Sequence, residues 1–241
     1  SFRTGAIATK SGDLPLAFET ELSLILYQGN IFGEQRPVKL TTETNVFHVS
    51  ALPSANVPPS FNGTLTSTAG AALLFAEVPD AARFDATFTS NPPQMRIVDW
   101  TQEPVLDSEH DARKRIYMVT PKLFGTKAIK GEMIIYPAGT KAANHHHEGA
   151  EHFMYVLTGS GTAWANEQPF SVRKGDLIWY ADRERHFLKS DDAAEMRFVE
   201  FFVPGVFKTT WAPGASVCTT TCFGANSGKI SRPVLRSLNR P

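Results

Sequence analysis

From Arg115 to Val203 the chain consists of short runs, apolar or alternating apolar and polar, each closed by Gly, Pro, Asn or Asp. Runs this short do not make helices. A period of two sends successive side chains to opposite faces, so the pattern commits the chain to β-strands joined by turns. The predicted strands of this half are 115–120, 131–139, 152–166 with glycines inside it, 170–181 and 195–203. The first half carries sparser runs at 21–28, 45–52, 71–78 and 82–89, separated by turn-rich segments such as LPSANVPPSFNG. The expected fold class is therefore all-β. The most charged stretch, EPVLDSEHDARKR (103–115), is the candidate boundary, either a solvated linker or a short helix. The 241 residues suffice for one large or two small domains. The expected division is a β-rich domain over 1–105, a barrel over 115–205 and an irregular segment, rich in Thr, Ser, Gly and Pro, over 206–241.

Charge excludes some partners. Lys plus Arg and Asp plus Glu are both 24, so no uniform field draws in nucleic acid or an anionic membrane. No apolar stretch approaches the ~20 residues that span a bilayer, and SFRTGAIATK lacks the apolar core of a secretory signal. A cytoplasmic protein with a small-molecule substrate is expected. Cys218 and Cys222 are too few for a disulfide framework and have no neighbouring His to complete a zinc set; they are either two ordinary thiols or a C-x3-C redox pair.

Histidines are concentrated. Five of the seven lie between residues 145 and 186, a window where even scatter would place about one. In an extended HHHE, His145 and His147 face one way and His146 the other. His152 opens the next run, and its period-two partners are Met154 and Val156, an inward-looking face on which the imidazole needs a hydrogen bond or a metal. Gly159 and Gly161 allow a sharp turn, and the following segment brings His186 back along a neighbouring strand. Four neutral imidazoles can thus converge inside a barrel and hold a metal.

From Gly139 the spacing reads G-x5-H-x-H-x4-H-x6-G through His145, His147, His152 and Gly159, and His186 follows Gly175 by eleven positions. This resembles the cupin superfamily, whose motifs are G-x5-H-x-H-x3,4-E-x6-G and G-x5-P-x-G-x2-H-x3-N. His152 stands where glutamate is usual, and Ala181, Arg183 and Ser190 replace the Pro, Gly and Asn of the second motif. Glu151 is the alternative third ligand, with one residue more before Gly159; the count to the turn favours His152. GDLIWYA is also similar to the C-terminal half of two-domain ureidoglycine aminohydrolases, manganese cupins whose N-terminal half has lost its metal site. The chain departs from them at the Glu-x-His element and at His186, where they use Gln. The resemblance implies a double-stranded antiparallel β-helix, the cupin or jelly-roll barrel, in a bicupin with a degenerate N-terminal half, and a homodimer.

The implied cofactor is one divalent transition metal (Fe, Mn, Ni, Zn or Cu) held by His145, His147, His152 and His186. Tyr136, Met154, Trp164, Trp179, Tyr180, Arg185 and Phe198 are available to line or rim the cavity. Glu151, Tyr180 and Arg185 are the candidate catalytic side chains, with Glu148 a further possible base. With Fe(II), an enolate or diketone substrate points to an O2-dependent dioxygenase; with a redox-silent metal, to an isomerase, lyase or hydrolase. A non-catalytic ligand-binding cupin is the third reading. Release of metal is expected as pH falls below the ordinary histidine value, near ~6.5.

Overall fold

In the computed structural model, side chains are described for Val78, 81–91, Pro93, 103–108 and 110–215, and otherwise only strand backbones within 3–78, 96–99 and 230–231. The chain divides into two compact units, residues 1–103, 119–128 and 233–241 in one, 104–118 and 129–232 in the other.

The first unit contains β1 (Arg3–Thr9), β2 (Gly12–Phe18), β3 (Leu22–Tyr27), β4 (Val38–Thr42), β5 (Val46–Val49), β6 (Pro53–Val57), β7 (Phe61–Ser67), β8 (Ala71–Val78) and β9 (Arg96–Asp99). They form two sheets, β1-β8-β3-β6-β9 and β2-β7-β4-β5. The run 82–89, expected as a strand from the alternation of Phe84, Ala86 and Phe88, is instead a 3-10 turn at Ala81–Arg83 followed by further turns. The cause is Asp85. Its carboxylate accepts from the Thr87 amide (3.0 Å), the Thr87 hydroxyl (2.7 Å) and the Lys127 amide (2.9 Å), so a side chain takes the bonds that a strand ladder would have used.

The second unit contains β10 (Val105–Asp107), β11 (Lys114–Val119), β12 (Lys130–Tyr136), β13 (His145–Glu148), β14 (Glu151–Thr158), β15 (Ser160–Ala165), β16 (Gln168–Arg173), β17 (Leu177–Tyr180), β18 (His186–Ser190), β19 (Met196–Val203), β20 (Lys208–Trp211) and β21 (Ile230–Ser231). Its sheets run β17-β14-β19-β12-β11-β10-β21 and β16-β15-β18-β13-β20. Within them β12-β19-β14-β17 and β13-β18-β15-β16 repeat the order of β1-β8-β3-β6 and β2-β7-β4-β5, each strand advanced by eleven. Both units therefore share one antiparallel double-sheet winding. The charged stretch 103–115 supplies β10 and the start of β11, and part of the segment expected to be irregular is β20, paired with β13. Cys218 and Cys222 lie outside the described residues.

Register sorts the interior of the second unit into rows. Lys130, Phe202, His152 and Tyr180 lie side by side across β12, β19, β14 and β17. The next row is Glu132, Glu200, Met154 and Ile178, and the next Ile134, Phe198 and Val156. Beyond the second row the interior is apolar, a cluster in which Ile134, Val156 and Phe198 meet Ala163 and Leu188 of the opposite sheet. The barrel is thus polar at one end and dry at the other. No helix among the described residues is long and apolar enough to cross a membrane.

Gly159 makes the turn between β14 and β15 with φ +77°, a left-handed conformation that L side chains resist. A Cβ there would also strike the Glu195 carbonyl oxygen and approach Met196 Cα to 2.8 Å. Gly175 has φ +93° but nothing within 4 Å of a Cβ. Gly159→Ala is expected to cost about 1–3 kcal/mol of stability, read as a lowered urea midpoint, and Gly175→Ala clearly less. Equal losses would show that the close approach contributes nothing.

Candidate metal centre

The four-residue strand β13 is the scaffold of the site. His145 and His147 are buried while His146 and Glu148 are half-buried, as alternation predicts. Pairing sets His145 between His186 of β18 and Trp211 of β20, and His147 opposite Thr209. Ring centroids are 4.5 Å apart for His145 and His186, 4.9 Å for His145 and His147, and 5.1 Å for His147 and His186. Their ligand atoms all lie within 4.8 Å of one another.

Hydrogen bonds decide which nitrogen each ring presents. His145 Nδ1 lies 2.8 Å from the Ala143 carbonyl and His186 Nδ1 2.8 Å from the Glu184 carbonyl. A carbonyl only accepts, so both Nδ1 atoms carry the proton and both Nε2 atoms present a lone pair, that of His186 toward His152 Nδ1 at 3.2 Å. His147 Nδ1 meets Thr209 Oγ1 at 3.1 Å, and its Nε2 is buried with no partner among the described residues. An orphaned imidazole nitrogen beside two lone-pair nitrogens suits a cation that accepts nitrogen ligands, and the anchored Nδ1 atoms are the outer support such ligands need.

His152 is buried on the same interior face, its centroid 5.1 Å from those of His147 and His186. It is not one of the mutually close three. Its ring is turned the other way: Nε2 lies 3.2 Å from Glu200 Oε2, and Nδ1 lies 3.2 Å from His186 Nε2. Glu151, adjacent on β14 and half-buried, is outside the cluster, and alternation sends it to the opposite face. The register of β14 shifts between Val156 and Thr158, so the residue count from His152 to Gly159 crosses a bulge.

The remaining candidates separate. Tyr180 stacks on His186 at 4.2 Å and 15°, with its buried hydroxyl unpartnered among the described residues. Burial pushes its phenol well up, so it stays protonated. Met154, Tyr136 and Phe198 belong to the core cluster. Trp179, expected to line or rim the cavity, is 53% exposed, because it pairs with Phe153 on the face away from His152. Trp164 stacks on Phe187 at 4.4 Å, beside the apolar cluster. Arg185 directly precedes His186, just outside β18 and half-buried, and its carbonyl accepts from the Asn166 amide at 2.8 Å. Glu148 accepts from Thr210 Oγ1 at 2.6 Å and from Lys208 Nζ at 3.3 Å, which lowers its carboxyl to about 2 and leaves it a poor base.

Sequence reasoning missed Glu132, Lys130, Glu200, Thr209 and Phe207. Lys130 Nζ binds Glu132 Oε1 at 2.8 Å and sits 4.9 Å from the Phe202 ring, while Phe207 stands 4.8 Å from His147. The signal was available in β12 and β19, where period-two reading places Lys130, Glu132 and Glu200 on the inward face. Burial alone would raise both carboxyls. At Glu132 the Lys130 ammonium and Arg115 guanidinium outweigh burial and bring it to about 2; at Glu200 burial, reinforced by Glu132, raises it well above the usual range.

Burial is also the largest influence on each interior imidazole. It lowers His145, His147 and His152 well below the ordinary value and His186 to about 4. The site is therefore held neutral and ready to ligate, and proton competition is displaced below the ~6.5 of a free histidine. In the metal-free protein the unfolded chain takes up these protons first, so stability present above ~6.5 falls as pH drops toward 4. Urea melts from pH 7 to 4 test this, since a midpoint that does not move excludes buried neutral imidazoles. Separately, His147→Ala and His186→Ala are each expected to remove most bound metal by elemental analysis, whereas His146→Ala retains it.

Residues 132–202, which carry the four interior histidines and His146, match the family described as Cupin domain. A 74-residue stretch is 30% identical to the uncharacterized protein MJ1618 of Methanocaldococcus jannaschii, covering 30% of this chain and 58% of that one. The chain thus spans under two thirds of that relative. Among solved structures, Bacillus subtilis oxalate decarboxylase is similar with a TM-score of 0.65 at 13% identity, over 87% of this chain and 71% of that one. The Lactobacillus farciminis oxalate decarboxylase formate complex is similar with a TM-score of 0.66 at 13% identity, over 87% and 79%. The Ylba protein of E. coli is similar with a TM-score of 0.63 at 12% identity, over 86% and 78%. At such identities the likeness speaks for the fold, and the family match makes residues 132–202 of this chain a cupin domain.

Proposed function

We propose that the second unit is a divalent-metal-dependent enzyme acting on a small carbonyl, enol or carboxylate compound, and that its reaction is an Fe(II)- and O2-dependent dioxygenation. The observation that carries the metal reading is the convergence of imidazoles whose Nδ1 atoms are tied off, with the His147 Nε2 buried and unpartnered. His145, His147 and His186 would hold the ion, with His152 as the fourth nitrogen. When bound, the ion supplies an electrophilic centre for a chelating oxygen and, as Fe(II), a source of electrons for O2.

The protein's own groups then bind and shield. Phe202, Phe207 and Trp211 pack against the histidine rings and keep water from them. Tyr180, protonated and without a partner, is suited to donate a hydrogen bond to a substrate oxygen. Glu151 and Arg185 stay secondary candidates for catalysis. A small-molecule substrate, a cytoplasmic location and a homodimer complete the reading.

A redox-silent lyase, isomerase or hydrolase is the second reading, favoured by the likeness to oxalate decarboxylase, which in Bacillus subtilis has Mn(II) centres. Elemental analysis of untagged protein, then oxygen-electrode assays against diketones, catechols and 2-oxo acids, separates the two. Stoichiometric O2 uptake with at least one substrate is expected, with kcat lowered about tenfold or more in Tyr180→Phe. Product formation without O2 uptake would overturn the dioxygenase, and metal-loaded protein that binds ligands without turnover would make it a binding cupin.

A further inference from the structure

We propose that Glu200 is the positioning residue that makes His152 a ligand through Nδ1, so that the metal is held by three Nε2 atoms and one Nδ1. This rests on the metal reading above and specifies its fourth ligand.

The argument begins with how each ring is held. His145 and His186 are anchored by the carbonyls two residues before them, Ala143 and Glu184, and in both the anchored atom is Nδ1. His152 has a different anchor. Its bond runs 48 residues away, to Glu200 on the neighbouring strand, and the anchored atom is Nε2. Two residues of β19 divide the work. Phe202, directly opposite His152, stacks on it at 4.1 Å and 13° and fixes the plane of the ring. Glu200, two residues along the same face, fixes which nitrogen points back toward the strand and which toward His186.

Glu200 is itself held in place. It lies opposite Glu132 in the β12–β19 register, and Glu132 is bonded to Lys130 Nζ at 2.8 Å. A carboxyl buried to 7% exposure in the row just above an apolar core is costly unless its bonds serve a purpose. A leucine would fill that row with less cost. What leucine cannot do is occupy the His152 Nε2, which would leave either nitrogen free to face the ion.

The test uses the full chain, labelled with 15N-histidine and loaded with 113Cd, a spin-active ion accepted by nitrogen ligands. Long-range proton–nitrogen spectra distinguish Nδ1 from Nε2 coordination. The expected result is cadmium coupling to Nε2 of three histidines and to Nδ1 of the one lost in His152→Asn. Glu200→Leu should remove that fourth coupling and weaken Zn affinity about 10–100-fold by competition with a chelator; Glu200→Gln, which can still accept from Nε2, should keep the coupling. Cadmium coupling to His145, His147 and His186 alone, or to His152 through Nε2, overturns the inference while leaving the metal site intact. No cadmium coupling to any histidine overturns the metal reading itself. The wild-type spectrum decides even if Glu200→Leu does not fold.

Discussion

Four imidazoles buried at one end of a barrel can be tolerated only if they are neutral and if nearly every nitrogen has something to bind. That requirement organises the unit around them. Two rings are tied to the carbonyls of Ala143 and Glu184, one to Thr209 and one to Glu200, so four separate segments of chain must be brought into register to satisfy a cluster a few ångströms across. The antiparallel winding does this because His145 pairs directly with His186 and His147 with Thr209. A one-residue slip of β13 would turn His145 and His147 outward and bring His146 in.

The layer behind the histidines is the less expected part of the interior. Lys130, Glu132 and Glu200 replace apolar side chains at three adjoining strand positions, where the ordinary solution would be a continuous hydrophobic core. Such a network contributes little net stability, since each charge must be drawn out of water before its partner offsets the cost. Its presence beside the histidines, and its absence from the rows beyond, ties it to the site rather than to the fold. The aromatic rings of Phe202 and Phe207 complete this layer, touching both the Lys130 ammonium and the imidazoles.

Local pattern and long-range pairing were legible to different degrees. Alternation in HHHE separates His145 and His147 from His146 without any structure, because strand geometry leaves two faces. The same rule placed His152 with Met154 and Val156. Yet alternation misled at 82–89, where Asp85 captures backbone amides. It was also silent on Trp179, whose exposed face follows from its pairing with Phe153 at an edge strand. Glu148 looked like a base because it neighbours the histidines, but Thr210 and Lys208, sixty residues on, keep it occupied. Strands β1, β4, β6 and β7 carry too few large apolar residues to stand out singly, β2 is absent from the expected runs although Leu14, Leu16 and Phe18 alternate in it with Pro15 between, and the winding they share with β12–β19 is visible only in their order.

By itself, then, the sequence determined that the second half is built of short strands, although 152–166 and 170–181 each prove to be two, and it carried the spacing that resembles the cupin motif; which of the clustered histidines share a face is a local consequence of a two-residue period. Only the tertiary structure decided which nitrogen each imidazole presents, that Glu200 anchors His152, and which carboxylates are occupied. The reason is physical: a ring's orientation is set by the hydrogen bond on its far side, and for His147 and His152 that partner comes from a strand 62 or 48 residues away.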